Sequence, residues 1–245
     1  MDNSDMTSCS FAIETAGLAK SFSSHAALRG IDLKVAGGNT LAILGPNGAG
    51  KTTLIKILAT IMRPTSGNVL IDGLTLKDDA EKIRSRIGLV AHQSYLYGNL
   101  SAYENLEFYS RMYGVLHYKE RIGAVLEMVG MTSRRHDRLS TLSRGMQQRL
   151  ALARALLHNP PILLMDEPET GLDQQALGVM WDILRQTEVQ RRTIVFTSHS
   201  FERALAVCDE LIILERGRVA FSAQGSALNP DDLRQAYQEC TRTQA

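Results

Sequence analysis

The chain predicts an α/β fold: a mostly parallel sheet flanked by helices, joined to an antiparallel β subdomain and carrying an inserted helical subdomain. Three observations support this. Short apolar runs at Thr40–Leu44, Ile162–Met165 and Thr193–Thr197 read as strands buried on both faces. Helical stretches alternate with these strands, which favours parallel pairing through crossover helices. From 94 to about 158 the strand pattern gives way to a helical block.

Taken in order, Phe11-Ala12-Ile13 and the run from Leu28 to Val35 are β-type segments punctuated by Gly17, Gly30 and Gly37-Gly38, which predicts a small antiparallel sheet. Thr40–Leu44 then enters Gly45-Pro46-Asn47-Gly48-Ala49-Gly50-Lys51-Thr52, and Thr53 opens a helical run that reaches Met62 and stops before Pro64. A glycine-bounded strand follows at 67–73, and Ile87-Gly88-Leu89-Val90-Ala91 is apolar enough for the main sheet. Inside the helical block, Ser101 followed by Glu104 has the spacing of a capping box. Leu211-Ile212-Ile213-Leu214 and Arg218-Val219-Ala220-Phe221 predict a closing hairpin across Arg216-Gly217. The expected organisation is one domain over 10–228, with its helical subdomain at 94–158 and a peripheral helix or tail over 229–245.

Bulk properties narrow the partners. At 245 residues, with 44% hydrophobic and 22% charged content, the chain can build one large α/β core. A formal net charge of +1 gives no drive toward nucleic acid, and the pairs Arg134-Arg135 and Arg191-Arg192 are too short for a basic patch. No nucleic-acid partner is expected. Cys9, Cys208 and Cys240 are odd in number and widely spaced, which argues against a disulfide framework or a metal cluster and fits a reducing compartment. No apolar run approaches the ~18 residues that span a bilayer, and the start Met1-Asp2-Asn3-Ser4-Asp5 lacks the features of a signal peptide. Any service to a membrane is therefore expected from its side.

Residues 45–52 match G-x-x-x-x-G-K-[ST], so a strand, a glycine-rich turn and a helix arrive in the order of a phosphate-binding loop and predict a P-loop NTPase core. Gly45, Gly48 and Gly50 let the backbone approach phosphates without an intervening Cβ. Lys51 would reach the β and γ oxygens, Thr52 would offer its hydroxyl to Mg²⁺, and the helix N-terminus would face the anion. Asp166 and Glu167 end an apolar strand, where open α/β sheets place their chemistry. The expected roles are Mg²⁺ binding for Asp166 and general base toward an attacking water for Glu167. His199 also ends a strand, and taken alone reads first as an ordinary polar terminus; Gln93 follows the strand at Ile87 and has an amide oxygen that could ligate Mg²⁺. Ser143 and Gly145 stand at another helix start, a second anion site apart from the first. That separation points to a nucleotide held by a partner copy.

These segments together resemble the ATP-binding subunits of ABC transporters over roughly residues 10–225. The order matches: Walker A at 45–52, the Q-loop Gln93, the signature at 142–149, Walker B at 162–167, the D-loop Gly171-Leu172-Asp173 and the switch histidine His199. The resemblance implies ATP and Mg²⁺ as ligands, with contacts from Pro46, Asn47, Ala49 and Thr53 beside the loop residues already named. It places Phe22 against adenine. It further implies a two-fold dimer enclosing two ATP molecules, each between Lys51 of one copy and Ser143 and Gly145 of the other. There His199 would contact the γ-phosphate and Asp173 would link the sites. The signature departs from the common pattern at Arg144 and Met146, and the D-loop at Thr170.

Six of the seven tyrosines fall between Tyr95 and Tyr118. They either pack the helical block or line a groove that anchors a partner helix, and in the family this region receives integral membrane subunits. The implied location is peripheral, on the cytoplasmic face of the membrane. Within the family, the signature with Asn105-Leu106-Glu107-Phe108-Tyr109 and Tyr113-Gly114-Val115 is similar to exporter-type subunits, most of all the haem-exporter ATPases of cytochrome c maturation. Drug, lipid or polysaccharide exporters share much of the pattern. Non-transport ABC-type ATPases carry two cassettes or long heptad helices, and this sequence shows neither.

Overall fold

The computed structural model describes residues 11–169, 177, 178, 180–182 and 192–242. Strands β1 (Phe11–Phe22) and β2 (His25–Ala36) form a long antiparallel hairpin. The sequence expectation of short segments broken at Gly17 and Gly30 underestimates both strands. Those glycines take φ of +58° and +81° and sit where the register shifts, so pairing continues across bulges. β3 (Thr40–Leu44) enters the second sheet, whereas β4 (Ser66–Ile71) and the short β5 (Leu74–Thr75) complete the first, in the order β2-β1-β4-β5.

The larger sheet adds β6 (Ile87–Val90), β7 (Ile162–Met165), β8 (Thr193–Thr197), β9 (Glu210–Glu215) and β10 (Arg218–Gln224), in the order β10-β9-β3-β8-β7-β6. Neighbours are parallel except at the β9–β10 hairpin. Side chains two apart share a face, so each central strand feeds two cores. Leu41 and Ile43 pack with Ile13, Leu28 and Ile57 between the two sheets. Ala42 and Leu44 pack with Leu106, Leu150 and Phe196 on the other side.

Helix α1 (Lys51–Leu58) starts two residues earlier and ends four residues sooner than the spacing predicts. Thr60 turns to φ +61°, and the N–H groups of Ile61 and Met62 close on Lys56 O, so the chain leaves the helix through a left-handed cap well before Pro64. Helix α2 (Ala80–Arg86) is absent from the sequence expectation. It buries only Ile83, too little to leave a periodic stripe. Helices α3 (Ala102–Met112), α4 (Tyr118–Met128) and α5 (Arg144–Leu156) make up the helical block. Ser101 and Glu104 form the capping box in full, worth about 1 kcal/mol to the start of α3. After the short α6 (Phe201–Leu205), α7 (Pro230–Arg242) buries Leu233 and packs the Tyr237 ring, tilted by 58°, against Phe201 with ring centres 5.1 Å apart. Among the described residues no helix is long and apolar enough to cross a membrane.

Candidate functional site

Strand order decides which residues meet. β8 lies between β3 and β7, so the ends of three parallel strands deliver the glycine loop, the 166–167 carboxylates and His199 to one edge of the sheet. The loop closes tightly there. Gly45 has φ +146°, and a Cβ on it would lie 2.2 Å from Leu214 O; at Gly50, with φ +108°, a Cβ would lie 2.6 Å from Ala27 O. Neither position accepts a larger side chain without moving backbone.

Lys51 is only 5% exposed, and its Nζ donates to Gly45 O at 2.6 Å and Pro46 O at 3.1 Å. Burial lowers its pKa, while Glu167 and Asp166 act to raise it. The ammonium is thus held ready by acceptors of its own loop. A cavity of about 280 Å³ opens beside it, lined by Phe22, Pro46, Asn47, Gly48, Ala49, Gly50, Thr52, Thr53 and Glu167. His25 and Ala27 complete the wall. Phe22 is exposed at 43%, with Lys20 Nζ lying 5.1 Å from its ring centre. An exposed aromatic at a cavity mouth offers a face to a planar base.

The carboxylates are set differently. Asp166 is buried, and its Oδ1 accepts from Thr52 Oγ1 and from Thr197 Oγ1, both at 3.1 Å. A hydroxyl and a carboxylate oxygen at this separation match the hard oxygen donors that Mg²⁺ takes, with phosphate and water supplying the remainder. Glu167 has φ +47°, a left-handed conformation that costs of order 1–3 kcal/mol. The N–H of Glu167 donates to Thr197 Oγ1 at 2.7 Å, and His199 Nε2 donates to its Oε1 at 2.8 Å. Thr197, which the sequence reading passed over, therefore ties both acids to β8.

Other candidates stand apart. Gln93 is exposed in the segment after β6 and is not among the residues lining the loop's cavity. Ser143 caps α5, its hydroxyl accepting from Met146 N at 3.3 Å; it and Gly145 also lie outside that cavity. Beside them a second cavity of about 370 Å³ is lined by His92, Ser94, Arg144, Gln147, Gln148 and Glu167. Glu167 borders both spaces. Arg144 reaches across to His92 Nε2 at 3.1 Å, linking the departure in the signature to the neighbour of Gln93. Thr170, Gly171, Leu172, Asp173, Arg191 and Cys9 lie outside the described residues.

The tyrosine-rich segment does border a groove. Its volume is about 340 Å³, with Tyr95, Tyr97, Tyr109 and Tyr113 on its walls together with Phe108 and Met112. Tyr103 and Tyr118 instead pack among the helices. Buried Asn105 shapes the approach to α3, accepting from Tyr97 N at 2.7 Å and donating to Tyr97 O at 3.1 Å. Arg154 lies 5.5 Å from the ring of Tyr95 and 5.3 Å from that of Tyr109, and donates to Leu89 O at 2.5 Å.

A family model described as ABC transporter matches residues 28–170, more than half of the chain. The chain belongs to the ABC transporter family. It is 34% identical to the linearmycin resistance ATP-binding protein of Bacillus subtilis strain 168, over 84% of this chain and 67% of that one. A Nod factor export ATP-binding protein of Cupriavidus metallidurans is 35% identical over 84% of this chain and 69% of its own length. A solved dimeric ATP-binding cassette in a post-hydrolysis state with ADP and Pi superposes with a TM-score of 0.81 at 30% identity, covering 86% of this chain and 98% of that one. This ABC subunit is accordingly an ATPase with the cassette fold, from a family whose cassettes dimerise and work with membrane subunits.

Proposed function

We propose that this ABC subunit hydrolyses ATP at Glu167 within a two-copy sandwich and powers export through separate integral membrane subunits, from the cytoplasmic face of the membrane. The observation that carries the catalytic part is the 2.8 Å contact between His199 and Glu167, placed where the carboxylate borders the Lys51 cavity. Lys51 and the loop N–H groups hold the phosphates, and Phe22 covers the base. Thr52 and Asp166 would hold Mg²⁺, which when bound offsets the charge of the β- and γ-phosphates. Glu167 accepts a proton from the attacking water, and His199 orients that carboxylate and reaches the γ-phosphate. Ser143 and Gly145 lie beyond the cavity of their own chain, so they serve the nucleotide of a second copy, with Asp173 linking the two sites. Gln93 senses the nucleotide from the segment that leads to the groove.

The expected test is Glu167→Gln. Turnover falls by a factor of at least about 10² while ATP affinity is kept and a nucleotide-bound dimer accumulates. Unchanged ATPase in that variant would remove Glu167 from the role of base.

For transport, the groove of Tyr97, Phe108, Tyr109 and Met112 supports docking of a helix from the membrane subunit, because these aromatic and sulfur-bearing walls match the anchors of such interfaces. The linearmycin resistance and Nod factor export relatives favour export of a drug-like or Nod-factor-like molecule over haem. The haem reading rests on the sequence resemblance alone. Identifying the membrane proteins that co-purify with the chain separates the two, and normal haem-loaded cytochrome c in cells lacking the chain rejects haem export.

A further inference from the structure

The carboxylate two residues after Glu167 has no part in the chemistry just described, yet it is the more buried of the two: the Glu169 side chain is 12% exposed against 28% for Glu167. Among the described residues, its side-chain hydrogen bonds and ion pair all run to the segment carrying His199. Ser198 Oγ donates to Glu169 Oε1 at 2.7 Å, and the N–H of His199 donates to the same oxygen at 3.4 Å. On its other oxygen, Oε2 faces Arg203 Nη1 at 3.4 Å. The loop is closed within itself as well: Ser200 N donates to Ser198 Oγ at 3.0 Å, and Ser200 Oγ caps α6 by accepting from Arg203 N at 3.4 Å.

We infer that Glu169 is a positioning residue for hydrolysis, clamping Ser198, His199 and Arg203 onto the end of β7 so that the His199 ring meets Glu167. The physical basis is that a carboxylate only accepts, and this one collects a hydroxyl, an N–H and a guanidinium from six consecutive residues. Pro168 lies between the two acids, so Glu167 and Glu169 are carried by one stiff turn. His199 is consequently held twice from that turn, at its ring by Glu167 and at its backbone by Glu169. An uncharged, shorter side chain at 169 leaves the Ser198 hydroxyl, as a donor, only its longer contact to Ser200 O at 3.4 Å, takes the carboxylate from Arg203, and frees the histidine to leave the catalytic carboxylate.

This inference rests on the site reading above, and its test separates the two. Turnover, KM for ATP and melting temperature are measured for Glu169→Ala, His199→Ala and the double variant. The expected result is a drop in kcat of about tenfold for Glu169→Ala with KM within about twofold of the parent, and no further drop when the same change is made in the His199→Ala background. Equal fold losses in both backgrounds, or a kcat for Glu169→Ala within twofold of the parent, overturn the inference. If Glu169→Ala yields too little folded chain, the same cycle is run with Arg203→Ala, for which a smaller loss that again vanishes without His199 is expected and an additive loss overturns it. Loss of turnover in Glu167→Gln alongside a silent Glu169→Ala rejects the clamp alone, whereas full turnover in Glu167→Gln rejects the site reading beneath it.

Discussion

Two glycines of the phosphate loop show how the same residue type carries different constraints. Both Gly48 and Gly50 have positive φ, but a Cβ at Gly48 meets nothing within 4 Å, whereas at Gly50 it lies 2.6 Å from Ala27 O and 2.8 Å from Leu28 Cδ2. Gly48→Ala therefore faces only the left-handed penalty of about 1–2 kcal/mol. Gly50→Ala adds a backbone clash at the residue that precedes α1, and is expected to destabilise by more than that and to abolish ATP binding. Urea unfolding and nucleotide titration check both, and equal costs at the two positions would contradict the packing described. The sequence pattern marked all three loop glycines alike, because a motif records residue type and not what stands opposite. For the same reason Lys51, Thr52, Asp166 and Glu167 are legible in the sequence whereas Thr197, His25 and Glu169 are not, because the relevance of those three depends on contacts between segments far apart in the chain.

At the scale of elements, local signals were readable where burial is continuous or a cap is explicit. The buried strands, the Ser101–Glu104 capping box and the β9–β10 hairpin follow directly from residue pattern. Helix α2 and the full length of β1 and β2 do not, since one buried isoleucine carries no period and bulged glycines mimic breaks. The end of α5 supplies a pH prediction. His158 donates from Nε2 to Ile87 O at 3.1 Å and stacks on Tyr113 with ring centres 4.1 Å apart. Burial pushes its pKa down to about 4, and the charges of Arg154, Arg121 and Arg192 add to the effect. In the unfolded chain a histidine titrates near 6.5. Above that pH both states are neutral and the full stability is present. As pH falls from 6.5 toward 4, only the unfolded chain takes the proton, so stability declines. His158→Phe keeps an aromatic stack without a titrating group, and its denaturation midpoint should change less between pH 6.5 and 4.5 than that of the parent chain. Identical slopes would show that His158 takes up its proton in the folded chain as readily as in the unfolded one.

For the whole molecule, the decisive geometric fact is that the Lys51 cavity contains neither Ser143 nor Gly145, although both lie in the same chain. A two-fold dimer would bring each half to the other's partner, and symmetry then makes two equivalent composite sites. This arrangement has a consequence that no single-chain site shares. Under the proposed two-copy sandwich, Lys51→Ala removes the phosphate cation and Ser143→Arg blocks the face offered to the partner, so each variant alone is expected to inactivate both sites of its homodimer. In a mixed dimer the two lesions fall on one site. The other site combines an intact Lys51 from the Ser143→Arg copy with an intact Ser143 from the Lys51→Ala copy. Mixing equal amounts gives mixed dimers as about half of the population, each with one sound site, so turnover should recover to about a quarter of the parent value if the sites act independently. Stronger coupling between the sites lowers that fraction without removing the dependence on mixing. ATPase measured against mixing ratio should peak at equal amounts, and a flat line at the level of the separate variants would mean that each chain completes its site alone.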